Sequence, residues 1–459
     1  MSDHRVDVVV AGAGAAGLTA SMAAASCGAE VLLLEASDSY PRGATSTALS
    51  SAMIPAAGSR WQREAGVEDS PELFMQDILA KTRGRAHRGM AEVLTQAAPE
   101  TVHWLVDHGG VPLFYAGSFQ TPGHSRPRMH SVGERSGSGL LAALLAGASA
   151  RPEITLLQSV RLQHVEVSTS GVMLETERPS GAKETIEADS VVLATAGYGA
   201  NADLVAKLIP NMASSLYYGG HGSQGDALAI GAELHADVEH LGAYQGYTAL
   251  AMPHRVRLSW VAIEHGGYLV NTEGKRFCDE SEGWAPDHCE AIAAQPGGFG
   301  WAIFDERIRA LCNRYEDFKE LETLGGVSWA DDEGQLAELI GAPETALHQT
   351  IQAAKGAATG TAEDALGRER FEEPLRPPYA AVKVYPALFH TQGGLVTDGA
   401  GRVLRAGMPI GGVYAAGGAA VGMSGPDGSG YLPGNGLLSA LALGRLAGLH
   451  AGAASSRQV

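Results

Sequence analysis

The chain has 459 residues and a formal net charge of −18, with 45% hydrophobic and 18% charged residues. That length exceeds one compact core and makes two domains the natural expectation. The charge argues against nucleic acid or an anionic membrane as the main partner, because both need a basic face. Cys27, Cys278, Cys289 and Cys312 are scattered without CxxC or zinc spacing, so reduced thiols and no metal site are expected.

The N-terminus, MSDHRVDVVVAGAG, enters an apolar run too short for a membrane span and lacks a charged leader or cleavage site. A soluble cytoplasmic protein without a membrane span is expected. Val6–Val10 reads as a buried parallel strand, because its apolar character is continuous and β-branched. Gly12, Gly14 and Gly17 then form G-x-G-x-x-G, with Ala15 and Ala16 inside the turn. The first glycine permits the tight turn, the second lets backbone reach a pyrophosphate, and the third lets helix pack on sheet. The helix N-terminus offers N–H groups to phosphates. Val31–Leu34 is the second strand. Glu35 ends it, 21 residues past Gly14, and Ala36 follows. A carboxylate there accepts hydrogen bonds from ribose hydroxyls. Strand, turn, helix and acid together specify a dinucleotide site.

Four later segments stand out: RGATSTALSSAM (42–53), ADSVVLATAGYGAN (188–201), GGVYAAGG (411–418) and GNGLLSALALGRLAG (434–448). With HTQGGLVTD (390–398), they resemble the successive FAD contacts of the fumarate reductase/succinate dehydrogenase flavoproteins, a family that includes the 3-ketosteroid dehydrogenases. The resemblance implies an α/β fold: a Rossmann-like FAD-binding domain of the glutathione-reductase type, with an inserted α+β capping domain. The expected boundaries are 1–240 and 390–459 for the FAD-binding parts and 241–389 for the cap. Within the cap, GGYLVNTEGKRF reads as a hairpin turning at Thr272–Gly274. Residues 344–370 read as a solvated helix and linker.

The resemblance further implies FAD contacts from Thr45, Ser46, Val160, Ala194, Thr195, Gly197, Asp226, Gly417, Asn435, Gly436, Leu437 and Leu438. A helix opening at Gly436 would face the flavin edge that becomes negative on reduction. Thr45 stands where succinate dehydrogenases carry a tethering histidine, so non-covalent FAD is expected. Gly418 replaces an acid that the family often carries.

The substrate machinery departs further. The position of the proton-shuttling arginine falls on Gly283 or Trp284. The carboxylate-clamping arginine is replaced by Tyr431, and of that set His390 remains. The ketosteroid dehydrogenases also carry a tyrosine in this loop, where the phenol and a glycine N–H donate to a ketone oxygen; here Gly434 or Gly436 would supply the N–H. The implied activity is an FAD-dependent dehydrogenase, or desaturase, forming a C=C bond next to a ketone. The alternative is a fumarate-reductase-like ene-reductase acting on an unsaturated acid or enone. Base candidates are Tyr247, Tyr244, Tyr115, His288 and His390. The stretch PLFYAGSFQTPGHSRPRMHS (112–131) packs His124, Arg126, Arg128 and His130 into seven residues. Three roles fit it: a clamp on a substrate carboxylate, a partner for the FAD pyrophosphate, or a solvated loop. The first would make the substrate a small cyclic oxo-acid such as 4-oxocyclohexanecarboxylate, with Trp284 and Tyr431 also lining its site. The sequence leaves the electron acceptor unnamed.

Overall fold

The computed structural model describes residues 5–41, 45–117, 121–283 and 285–455. The chain divides into two compact units. The first comprises Met1–Ile209, Gly219–Gln245 and His390–Val459; the second comprises Pro210–Tyr218 and Gly246–Phe389.

The first unit is built on an eight-stranded sheet. Its main path runs Arg402–Arg405, Met408–Ala415, Lys183–Leu193, Arg5–Ala11, Val31–Glu35 and Ile154–Gln158. The four junctions from Met408–Ala415 to Ile154–Gln158 are parallel. Val8, Val9 and Val10 are fully buried, so this strand is covered on both faces and needs no alternation. Val10 lies level with Leu33 on one side and Val192 on the other. A hairpin of Arg161–Ser168 and Gly171–Glu177 continues antiparallel from Lys183–Leu193.

The first helix, Ala15–Ala25, is buried at every position. It packs on the C-terminal helix, Asn435–Ser455, through small residues on both. A Cβ on Gly444 would lie 2.5 Å from the Ala16 carbonyl oxygen, and one on Gly452 would lie 2.7 Å from that of Ala24. The C-terminal helix has 21 residues and a mean hydropathy of 1.3, long and apolar enough to cross a membrane by length and composition. Its glycine stripe is occupied by the first helix, as in a protein core.

The second unit centres on a seven-stranded sheet, ordered Val256–Arg257, Tyr244–Ala251, Tyr379–Thr391, Gly300–Asp305 and Tyr268–Val270. Leu216–Tyr217 and Ser328–Ala330 also pair with Tyr379–Thr391. The hairpin in 266–277 closes where Asn271 N–H donates to the Lys275 carbonyl, with Gly274 at φ +75°. The stretch 344–370 holds the expected helix and a linker whose residues are mostly exposed, but each has a buried side. Leu347, Ile351 and Ala354 line the buried face of the helix Glu344–Ala358, a spacing that falls on one helical face. Arg368 is buried and donates to the Ile263 and Gly267 carbonyls and to Glu280. Arg276 joins Glu280 and Asp364 in the same buried ion cluster.

Candidate active site

The turn after the first strand is shaped by steric exclusion. Gly12 has φ +105°, and a Cβ there would sit 2.9 Å from the carbonyl carbon of Ala194. A Cβ on Gly17 would coincide with the Gly12 carbonyl oxygen, so this glycine sets the helix-to-turn packing. Gly14 is different. A Cβ there would meet nothing nearer than the Thr47 hydroxyl at 3.6 Å, which leaves its outer side open for a ligand. Gly14 caps the helix without a side chain, and Thr47 Oγ1 accepts from Ala15 N–H at 3.0 Å. Glu35 is buried and accepts from Ala13 and Ser37 N–H, each at 2.9 Å. Tyr40 Oη donates to the Ala13 carbonyl, and Val160 N–H to the Glu35 carbonyl. Ala16 is buried at the start of the first helix, and Ala36 is half-buried beside Glu35.

The remaining residues expected at the cofactor all lie within the first unit. Thr45 Oγ1 accepts from Ala48 N–H, and Ser46 Oγ from Gly220 N–H. Gly197 presses on Thr391 and Gly418, and Gly417, at φ +67°, leaves 3.1 Å between its Cβ position and Ala16 Cβ. Asp226 is engaged by Arg161, whose Nη1 donates to both carboxylate oxygens at 2.8 Å. Burial pushes the Asp226 carboxyl up despite this partner. Sequence reasoning singled out neither Arg161 nor Thr47.

Among the described residues, the buried atoms Thr195 Oγ1, Gln392 Nε2, Asn435 Oδ1 and Ser439 Oγ have no hydrogen-bond partner. Ser424 links two of their residues, since its hydroxyl donates to Gln392 Oε1 and accepts from Asn435 Nδ2. Each such orphan costs about 1–3 kcal/mol unless a ligand satisfies it. With the glycine cradle and the Glu35 carboxylate, this donor and acceptor set fits a flavin dinucleotide.

The loop Gly425–Gly434 explains why its tyrosine is surrounded by glycines. A Cβ on Gly430 would collide with the Ser424 carbonyl, and one on Gly428 would lie 2.8 Å from the Tyr244 ring. Gly434, at φ +85°, leaves 2.9 Å between its Cβ position and the Met53 carbonyl oxygen. Tyr431 is 7% exposed, and its Oη accepts from Gly434 N–H at 3.4 Å. His390 presents its ring edge-on to Tyr431, with centroids 6.2 Å apart. Its Nε2 lies 2.8 Å from Gln245 Oε1. Burial pushes the His390 imidazole down to about 4, so it is neutral at physiological pH. Gly436, half-buried, opens the C-terminal helix against it; a Cβ there would stand 2.6 Å from His390 Cε1. Leu437 is half-buried and Leu438 fully buried, with Leu438 N–H bonded to the Gly434 carbonyl.

Of the cations between 124 and 130, for which three roles were open, Arg128 is committed inside the protein. Arg128 is fully buried; its Nε and Nη2 grip Asp69 at 2.9 and 3.0 Å, and its Nη1 reaches Asp77 at 2.5 Å. His124 is buried between Arg128 and the Pro433 carbonyl. His130 is buried against Ser59 and the Arg128 carbonyl. Arg126 is exposed and donates to the Glu68 and Ser125 carbonyls. The candidate bases Tyr115 and Tyr247 donate to the Pro127 and Leu258 carbonyls, and burial pushes both phenols up. Tyr247 belongs to the second unit. His288, also in the second unit, is stacked on Trp260. Trp284 lies outside the described residues.

A parallel sheet, a glycine-lined turn with a buried carboxylate beside it and an orphaned polar set near a second helix start fit an FAD-dependent oxidoreductase. The model of the FAD binding domain family matches residues 7–437. The chain belongs to that family, among the flavoproteins of the fumarate reductase type. It is 31% identical over 452 residues to the NADH:fumarate oxidoreductase of Klebsiella pneumoniae, which covers 96% of this chain and 47% of that protein, so the chain spans about half of its length. It is 26% identical over 510 residues to the 4-oxocyclohexanecarboxylate 2-dehydrogenase of Sinomonas cyclohexanicum, covering 90% and 87% of the two chains. Among solved structures, the open conformation of a flavocytochrome c3 fumarate reductase matches with a TM-score of 0.84 at 27% identity, over 98% of this chain and 79% of that one. The 3-ketosteroid-Δ4-(5α)-dehydrogenase of Rhodococcus jostii matches at 0.76 and 25% identity, over 98% and 97%.

Proposed function

We propose that the protein is a dehydrogenase that forms a C=C bond α,β to a ketone, on a small cyclic oxo-acid such as 4-oxocyclohexanecarboxylate. The observation that carries this reading is the buried Tyr431 phenol, set beside a neutral imidazole at the start of the C-terminal helix. Burial pushes the phenol's pKa up, so it keeps its proton for donation. In this reading Tyr431 Oη donates to the ketone oxygen, and Gly436 N–H adds a second donor. The oxygen gains charge as the α-proton leaves, so both bonds strengthen towards the transition state. The α-proton goes to Nδ1 of neutral His390, whose Nε2 N–H donates to Gln245 Oε1. Bound FAD supplies the two-electron acceptor for the hydrogen that leaves the β-carbon. Gly12, Gly14, Gly17, Glu35, Thr45, Ser46, Thr195 and Asn435 would hold that cofactor without a covalent bond. Tyr115 and Tyr247 are spent on carbonyls and take no part.

The oxo-acid is supported by the similarity to the 4-oxocyclohexanecarboxylate enzyme, and no longer by the His124–Arg128 loop. A second reading has its own support: the chain's similarity to fumarate-reducing proteins extends over 96% of its length. There the chemistry runs in reverse on an unsaturated acid or enone. Anaerobic titration separates the two. Bleaching of the flavin by 4-oxocyclohexanecarboxylate is expected, and Tyr431→Phe should slow its limiting rate by about 100–1,000-fold while FAD stays bound. A flavin that no ketone bleaches, but whose reduced form fumarate or an enone reoxidises, would replace the first reading by the second.

A further inference from the structure

We infer that His124 is a positioning residue: it fixes the loop that carries Tyr431 by donating a hydrogen bond to the Pro433 carbonyl, and a buried arginine sets its tautomer. The inference rests on the role proposed for Tyr431.

The chemistry of the partners decides the proton positions. Arg128 can only donate, so the contact between its Nη1 and His124 Nδ1 at 3.3 Å makes Nδ1 the acceptor. The Pro433 carbonyl can only accept, so His124 Nε2, 3.0 Å away, carries the hydrogen. A single neutral tautomer satisfies both. Burial and the Arg128 charge push His124 down to about 4, which agrees with that assignment.

Arg128 is itself immobile. Asp69 holds it in a two-pronged grip and Asp77 holds a third nitrogen. The Phe74 ring lies under its guanidinium at 4.6 Å. Asp77 also accepts from the N–H and hydroxyl of Ser125, next to His124. Further contacts press the same loop into place: a Cβ on Gly123 would lie 2.6 Å from Leu432 Cδ1. Pro433 is two residues past Tyr431, and Gly434 N–H donates to the phenol oxygen. The chain of contacts thus runs from two buried carboxylates through Arg128 and His124 to the backbone that aims the phenol. A displacement of about 1 Å at a reacting group can cost about 100-fold in rate.

The test is a double-mutant cycle on the anaerobic limiting rate of flavin bleaching by 4-oxocyclohexanecarboxylate. His124→Met fills the space without a donor and should slow that rate about 10–100-fold, with the apparent ketone Kd and the flavin potential unchanged. His124→Gln restores a donor and should recover most of the rate. In the Tyr431→Phe background, His124→Met should have little further effect, because the group it aims is gone. Additive losses in the double variant would overturn the inference. So would loss of flavin from both His124 variants, which would make His124 a support of the cofactor site. A Tyr431→Phe protein of undiminished rate would instead overturn the proposed function, whatever His124 does.

Discussion

The turn at Gly12–Gly17 and the loop at Gly425–Gly434 use the same residue and lead to the same feature, a helix start. Their supports differ. The first turn draws mostly on chain close in sequence, as Gly17 packs on Gly12, Glu35 holds Ala13 and Thr47 holds Ala15, with Ala194 against Gly12 as a more distant support. The second is shaped by distant chain: Met53 and Pro55 against Gly434, Tyr244 against Gly428, and His124 on Pro433. A cradle for a cofactor can be local, because phosphate and ribose recur unchanged. A loop that aims a side chain at a substrate takes its position from what surrounds it.

The largest effect should separate the two regions outright. Gly17→Val would force a Cβ into the Gly12 carbonyl, and the purified protein should carry almost no flavin by absorbance. A variant with full flavin content would mean the turn can relax, and that its glycines serve packing alone. Tyr431→Phe is the counterpart in the second loop: flavin content should stay and rate should fall.

Removing Arg128 tests the support of the second loop. Arg128→Met leaves Asp69 and Asp77 buried without their cation, since their side chains are 0% and 11% exposed. A loss of about 3–5 kcal/mol in unfolding free energy is expected from denaturant titration. A loss below about 1 kcal/mol would show that the carboxylates reach water or protons cheaply, and that the strut is weaker than its geometry.

Much of the fold was legible in the sequence, for reasons these regions make plain. The continuous apolar strand, the glycine spacing and Glu35 are local patterns with one physical reading. The density of cations between His124 and His130 was equally visible, but its direction was not. Asp69 and Asp77 lie 59 and 51 residues before Arg128, in a stretch whose acids look like any solvated helix. Nothing local says that they are buried. Arg368 is a similar case: a charged residue in a polar stretch, drawn inside by Glu280 and two carbonyls. Gln245 and Ser424 carried no signal, because single amides and hydroxyls are common everywhere.

A further effect concerns pH. His124, His130 and His390 are each pushed down to about 4, chiefly by burial, against an ordinary value of about 6.5. Between those values the unfolded chain takes up protons that the folded chain refuses. Their contribution to stability is therefore complete above about pH 6.5 and is lost as pH falls towards 4. Each adds at most about 1.4 kcal/mol per pH unit to the slope. Urea titrations at pH 7, 6 and 5 should show that decline, and His130→Gln should flatten it. An unchanged slope in that variant would place the proton uptake elsewhere.

The smallest expected effect bears most directly on the substrate. Arg126 stands two residues from Arg128, yet it is exposed and donates only to backbone carbonyls among the described residues. Arg126→Ala should change stability by less than about 0.5 kcal/mol. It should leave unchanged the ratio of apparent Kd values for 4-oxocyclohexanecarboxylate and cyclohexanone, since the loop's cations are used within the protein. If the ratio moves by 10-fold or more against the acid, the loop has an outward face after all. Arg126 would then be the carboxylate clamp, and the inward strut and the outward clamp would be two uses of one basic segment. Neighbouring arginines with opposite exposure make that distinction measurable with one substitution and two ketones.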